Sequence, residues 1–322
     1  MIRSKFLSRA LALCCVLPLA PAAQAAWPDD RPIELVVGFA AGGETDVMAR
    51  VLAPHLQRHL GGKANITVIN RPGASGEIAN AYVQRASADG YTIGVVNTPP
   101  MAFVPLYKKT QYDPAKFALV GRVVSDPTLL VVRADSPYQD LKQIVQALKD
   151  KPGSLSASQN GVGSNGHVAM HLWQREAGFR FNDVPFSGTG QSRTALLGGH
   201  LDMMFASLTA VPHPDKEAVP LRIVAQFVAE RAGGLPDVPT AGEQGYPVSV
   251  PSDRGLAVHA DVPAAVRERL NAALEATMKD PAFRESARAF SAVLAYLPGP
   301  AWQAELDASR AGWQALADDI KE

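Results

Sequence analysis

Two α/β lobes joined by two chain crossings are what this sequence predicts, on three observations. Apolar, β-branched runs alternate with amphipathic helical stretches; the alternation restarts near Leu155 after an extended connection; and the last sixty residues hold too little strand to form a domain of their own.

Ile33 to Val37 reads as a strand, and after a glycine loop Val47, Val51, Leu52, Leu56 and Leu60 fall close to one helical stripe, with Pro54 inside it expected to kink the helix. Ile66 to Ile69 is a second strand, Ile78 to Ala86 a second helix and Tyr91 to Val96 a third strand. This βαβαβ order predicts a mostly parallel sheet covered on both faces, with its strand-to-helix loops along one edge. Leu119 to Val124 and Leu129 to Arg133 are extended and lead to a helix over Leu141 to Leu148. The second rhythm then runs through strand Leu155 to Ser158, helix Gly166 to Ala177, strand Asp183 to Phe186, helix Gln191 to Leu197, and strands Leu201 to Ala206 and Leu221 to Ala225. Gly255 to His259 is one further strand, and Pro263 to Lys321 is largely helical by composition and period. The tail is expected to return to the first lobe. The predicted division is residues 27–127 with 248–322 as lobe 1 and 128–247 as lobe 2.

The chain begins with a targeting pattern: Arg3, Lys5 and Arg9 precede an apolar run from Ala10 to Ala20, and Ala23-Gln24-Ala25 is a small-x-small cleavage site. Export to the periplasm, with cleavage near Ala25 or Ala26 and residues 1–26 removed, is the expectation. The apolar run is shorter than the roughly 20 residues that a membrane anchor needs. Both cysteines, Cys14 and Cys15, lie in this leader, so the exported chain has no disulfide, thiol nucleophile or cysteine metal site. It then carries 28 basic against 31 acidic residues with no run of like charge, a poor surface for nucleic acid or anionic membrane.

Two glycine-rich loops, each between an apolar strand and a helix, are the most informative local features. Phe39-Ala40-Ala41-Gly42-Gly43-Glu44-Thr45-Asp46 and Gly161-Val162-Gly163-Ser164-Asn165-Gly166-His167 each place unpaired N–H groups and a partial positive charge at a helix start. Aimed at one cleft, they would hold a small anion. In the first, Gly42 and Gly43 allow close backbone approach, and Thr45 or Asp46 is expected to cap the helix, Asp46 as a structural cap. In the second, the side chains of Ser164, Asn165 and His167 add donors. Gly161-x-Gly163-x-x-Gly166, with Asp183 further on, also matches a dinucleotide fingerprint, but the export signal and the lack of any other oxidoreductase feature favour an anion loop. Asn70-Arg71-Pro72-Gly73-Ala74-Ser75-Gly76 and Ser187-Gly188-Thr189-Gly190 are further donor-rich loops at strand ends, Gly188 and Thr189 reading as second-lobe contacts and Arg71 as structural.

No cofactor and no metal is expected. His55/His59 and His167/His171 have helical spacing but no evident third ligand. No Gly-x-Ser-x-Gly elbow occurs, and nothing orders a nucleophile against a base. Trp173, Trp302 and Trp313 lie in helical stretches and read as packing residues.

Taken together, Trp27-Pro28, Arg31-Pro32-Ile33, Ala41 to Asp46 with Ala49-Arg50, Asn70 to Gly76, Asp89-Gly90-Tyr91-Thr92, Gly163-Ser164 with Gly166-His167, Val184-Pro185-Phe186 with Gly188, and Pro236 to Thr240 with Glu243 and Gly245-Tyr246 make the chain resemble the solute receptors of tripartite tricarboxylate transporters, the Bug family. The resemblance implies a type II, Venus-flytrap periplasmic-binding-protein fold that closes around a small organic carboxylate. It implies ligand contacts from Phe39, Ala41, Gly42, Gly43 and Thr45, partly through ordered water, and from Ser164, Asn165, His167, Phe186, Gly188 and Thr189 in the second lobe. Membrane transporter subunits are the implied partner, and a monomer is expected. The chain departs from the family pattern in carrying Gly38 for a usual proline, Ser187 for a frequent lysine or arginine, Ala206 for a frequent aspartate, and Ser252-Asp253-Arg254 where tryptophan is common. Loss of an acid at Ala206 with Arg254 nearby favours a di- or tricarboxylate over an amino acid, although Arg254 is a weak candidate beside a solvated hinge arginine. The competing readings are a ligand sensor that presents its closed form to a signalling protein and an exported enzyme of unknown chemistry.

Overall fold

The computed structural model describes residues 27–186, 188–211, 220–288 and 293–321. The leader expected over residues 1–26 and the residue Ser187 lie outside them. The elements in chain order are β1 (Ile33–Val37), α1 (Glu44–Leu60), β2 (Ile66–Asn70), α2 (Glu77–Arg85), β3 (Thr92–Thr98), α3 (Pro100–Tyr107), β4 (Phe117–Asp126), β5 (Thr128–Arg133), α4 (Leu141–Asp150), β6 (Ser156–Gln159), α5 (Asn165–Ala177), β7 (Asn182–Pro185), α6 (Thr189–Leu197), β8 (Met203–Ser207), β9 (Leu221–Gln226), β10 (Ser252–His259), α7 (Ala264–Lys279), α8 (Pro281–Ser286), β11 (Leu294–Pro298) and α9 (Gly299–Lys321).

Two sheets organise these elements into a two-lobed α/β fold. One has six strands in the order β11-β4-β10-β3-β1-β2, and the other five in the order β7-β6-β8-β5-β9. The first departs from the mostly parallel sheet expected: β1 runs parallel to β2 and β3, but β10 is antiparallel to both β3 and β4, and β11 is antiparallel to β4. The cause is the return of the chain. After the second sheet, β10 enters between β3 and β4 from the crossing side, a direction opposite to both.

Two elements escaped the sequence reading. Helix α3 has apolar residues on several sides and a proline within it, so no stripe marks it; Phe103 is fully buried and packs in the core of the second lobe. Strand β11 is a short edge strand that interrupts the helical tail. Helix α1 continues through Pro54 to Leu60.

The tail reaches further than expected. Trp302 of α9 is buried with Val36, Ala79 and Phe117 of the first lobe, whereas Trp313, Leu316 and Ala317, three turns on, join Leu130, Trp173 and Phe205 in the core of the second. Trp173, Trp302 and Trp313 are all buried packing residues. One 23-residue helix therefore braces both lobes on the side where the chain crosses.

Where β10 meets β4 the backbones approach so closely that only glycine fits. A Cβ on Gly255 would meet the Gly121 carbonyl and lie 2.6 Å from the Trp302 ring. Gly255→Ala is expected to destabilise the protein by about 2–3 kcal/mol through overpacking, measured as a lowered urea midpoint with an unchanged slope.

Candidate functional site

The loop after β1 is set by its neighbours rather than by its own sequence. Helix α1 starts at Glu44 with Gly43 at the N-cap position and no side-chain cap, so neither Thr45 nor Asp46 caps it as expected. Asp46 lies within the first turn, and its carboxylate accepts hydrogen bonds from the Gly42 amide at 2.8 Å, Arg50 Nε at 2.9 Å and Asn70 Nδ2 at 2.8 Å. Asn70 also donates to the Phe39 carbonyl, and Arg50 to Asn70. Asp46 thus clamps both ends of the loop and leaves the first amides of α1 without a side-chain acceptor. Burial opposes its charge, but the hydrogen bonds from Arg50, Gly42 and Asn70 outweigh that and hold the carboxyl at about 2. Arg71 lies over the Tyr82 ring, 3.7 Å from its centroid, in keeping with a structural role.

The second lobe presents two helix starts. Ser164 caps α5, its hydroxyl accepting from the His167 amide at 3.1 Å. The glycine spacing that resembles a dinucleotide fingerprint has a packing origin. Gly163 has φ +82° against Val104, and a Cβ on Gly166 would lie 2.9 Å from that of Phe205. Asp183, the acid such a fingerprint would place on a ribose, faces Gln159 and His171 instead. Helix α6 starts after Gly188 with no side-chain cap, and Thr189 accepts from Asn160 Nδ2 at 2.8 Å.

These starts converge. A cleft of about 560 Å³ is lined by Phe39, Gly42, Gly43 and Thr45 from the first lobe, by Ser164, Asn165, Gly188 and Thr189 from the second, and by Arg254 from the return strand β10. Three expected contacts are not in its lining. Ala41 is exposed at the outer tip of the loop, where Ala40 faces the cleft instead. Phe186 packs against the core, and its amide donates to the Gln159 carbonyl. His167 is roughly 200° around α5 from Asn165; it is 2% exposed and packs against Phe103 and His171. Burial and the neighbouring His171 push its pKa down to about 4, so it is neutral near pH 7.

The sequence reading missed several lining residues. Asn97, on β3, donates to Thr45 Oγ1 at 3.2 Å, and its Oδ1 is buried without a partner; Asn160 also has an unpartnered buried Oδ1. Ser207 lines the cleft while Ala206, next to it on β8, turns into the core, so the residue at 206 does not set the cleft's charge. Arg193, on α6, reaches the cleft with no ion-pair or hydrogen-bond partner among the described residues. A single arginine after a glycine loop carries no sequence signal; only the placement of α6 reveals it.

Arg254 is neither solvated nor free. It is 4% exposed, and its Nη2 pairs with Glu44 Oε2 at 2.6 Å and with Asp126 Oδ2 at 3.1 Å. Asp126 is fully buried at the end of β4 and also accepts from the amide and hydroxyl of Thr209. Burial pushes the Asp126 carboxyl up, while Arg254 and Thr209 oppose it. Among the described residues no histidine, lysine or cysteine lines the cleft, and no group of three or more potential metal ligands occurs.

A two-lobed α/β protein with helix starts from both lobes facing one polar cleft is a solute-binding architecture. The family described as "Tripartite tricarboxylate transporter family receptor" matches residues 48–296. A "UPF0065 protein in gbd 5'region" of Cupriavidus necator is 33% identical over 296 residues, covering 90% of this chain and 89% of that protein. Two solved structures are similar across nearly their whole length. "R. palustris Rpa4515 with adipate" has a TM-score of 0.77 at 28% identity, covering 91% of this chain and 98% of that one. MatC from Rhodopseudomonas palustris "with bound malate" has a TM-score of 0.73 at 28% identity, covering 89% of this chain and 99% of that one. The chain belongs to the tripartite tricarboxylate transporter receptor family.

Two acid-stability windows follow from the shifts. His167 is held below the ordinary 6.5, so the unfolded chain binds the extra proton and stability falls as pH drops from 6.5 towards 4, by about 3 kcal/mol in all. Asp46 contributes about 2 kcal/mol that is present above its ordinary 3.8 and is lost as pH falls through 2. Urea unfolding against pH is expected to show the upper window flattened in His167→Leu and the lower one flattened in Asp46→Asn.

Proposed function

We propose that this protein is a periplasmic receptor that captures a small organic carboxylate, di- or tricarboxylic, between its lobes and delivers it to the membrane subunits of a tripartite transporter. The observation that carries the reading is the convergence, among the described residues, of uncapped starts of α1 and α6 with the unpaired guanidinium of Arg193 on one cleft that lacks a histidine, lysine or cysteine. Orphan amides and a free arginine bind a carboxylate by charge-assisted hydrogen bonds without transforming it. The adipate and malate of two similar structures support the ligand class.

On this reading lobe 1 comprises residues 27–127 and 248–322, lobe 2 comprises 128–247, and the leader is cleaved near Ala25 or Ala26. The ligand is held by Phe39, Gly42, Gly43 and Thr45 on one side and by Ser164, Asn165, Gly188, Thr189 and Arg193 on the other. Closure brings the second set of donors onto a ligand already held by the first, so binding shifts the population towards the closed form. The transporter then meets a surface that only the closed form presents. No bond is broken in this cycle.

A thermal-shift screen of small carboxylates, followed by titration calorimetry, tests the ligand class, because a ligand of the folded state raises the midpoint by mass action. Binding of succinate-like or citrate-like acids is expected; binding of aspartate or glutamate without either would sink the proposal. Arg193→Ala is expected to weaken the best acid by roughly 10- to 100-fold. Its unliganded midpoint should move by no more than about 1 °C, since the side chain is half-buried and has no partner to lose among the described residues.

A further inference from the structure

We infer that Glu44, paired with Arg254 in the wall of the cleft, makes the receptor select carboxylates that carry a hydroxyl group. The inference rests on the carboxylate reading of the cleft and refines it.

Glu44 is the first residue of α1 and stands among the amides proposed to hold the ligand, so a negative side chain there is unexpected in an anion site. Its presence has a local cause. Oε2 is 2.6 Å from Arg254 Nη2, and Arg254 is buried and already paired with the fully buried Asp126. Glu44 itself is 38% exposed to the cleft, and no hydrogen bond from a protein group reaches its other oxygen, Oε1, among the described residues. Arg254 in turn makes both ion pairs through Nη2, and its Nε is buried without a partner. The wall thus offers a free acceptor oxygen beside the positive charge of a buried guanidinium.

Ligand groups differ sharply in how they meet such a pair. A second carboxylate directed here would face the charge of Glu44. A bare methylene would leave Glu44 Oε1 stripped of water on closure with no donor in its place, and an unsatisfied buried acceptor is costly. An ammonium would satisfy Glu44 but be set against the Arg254 guanidinium. A hydroxyl alone fits both partners, donating to Glu44 while its lone pairs face Arg254. A site built around such a hydrogen bond rejects the analogue that lacks it, because its own polar groups are then left unpaired.

Titration calorimetry with two pairs of acids that differ only in a hydroxyl, malate against succinate and citrate against propane-1,2,3-tricarboxylate, tests this on the exported chain and on Glu44→Gln. The chain is expected to bind the hydroxylated member of at least one pair tighter by about tenfold or more, and Glu44→Gln to narrow that preference below about threefold. A merely structural Glu44 would weaken both members together and leave their ratio unchanged, which would overturn the inference. Equal affinity within both pairs, or aspartate bound tighter than malate, would overturn it too. Binding without hydroxyl preference removes this inference and leaves the carboxylate reading standing, whereas no binding of any acid removes both. Should Glu44→Gln not fold, Glu44→Asp, which withdraws the carboxylate by one methylene, is judged on the same ratio.

Discussion

Orphan amide groups at helix starts are the constraint on which the rest of this structure depends. An α-helix leaves its first N–H groups without internal partners, and in α1 and α6 no capping side chain supplies one. Both helices begin where a strand ends, so the parallel portions of the two sheets deliver these groups to the facing edges of the lobes. An anion drawn there meets partial positive charge that the backbone provides before any side chain is counted. A receptor built this way needs few cations, and among the described residues the cleft contains two: Arg193, which has no partner there, and Arg254, which is engaged by two carboxylates.

Holding those amides in place falls to buried charge. Asp46 gathers the Gly42 amide, Arg50 and Asn70, and through Asn70 the Phe39 carbonyl, so one carboxylate fixes the shape of the loop from behind. Asp126 and Arg254 do comparable work at the crossings. Asp126 ends the strand that leaves the first lobe, Arg254 lies on the strand that returns to it, and Thr209 ties Asp126 to the second lobe. A buried pair of this kind is weak evidence of stability but fixes geometry, since either partner alone would be stranded in a dry environment. Behind it, α9 spans the two lobes with Trp302 in one core and Trp313 in another. The protein therefore has a polar joint at the floor of the cleft and an apolar brace on its back.

Much of this was legible in the chain because periodicity and glycine placement are local signals. The strands from Ile33, Ile66 and Leu129 and the helices after each glycine loop came within a few residues of their observed ends. The antiparallel entry of β10 was not legible, because strand direction depends on the side from which a distant segment arrives. Helix α3 was missed because burial on several faces erases its stripe. The site followed the same division: backbone-rich loops were read from glycines, whereas His167 and Phe186 were assigned by position in a motif and turn inward. Ala206 illustrates the limit of such reading, since a strand alternates faces at each residue and it is Ser207 that meets the cleft.

The sequence by itself determined which loops begin helices, the alternation that builds two α/β lobes, and the kinship carried by motifs spread along the chain, because each is written in neighbouring residues. Only the tertiary structure decided which charges are spent and which are free. Arg254 and Arg193 look alike as letters, yet folding sets one between Glu44 and Asp126 and leaves the other, among the described residues, unpaired at the opposite wall. Electrostatic state depends on who stands within a few ångströms, and here those neighbours, Glu44, Asp126 and Arg254, are separated by up to 210 residues of chain.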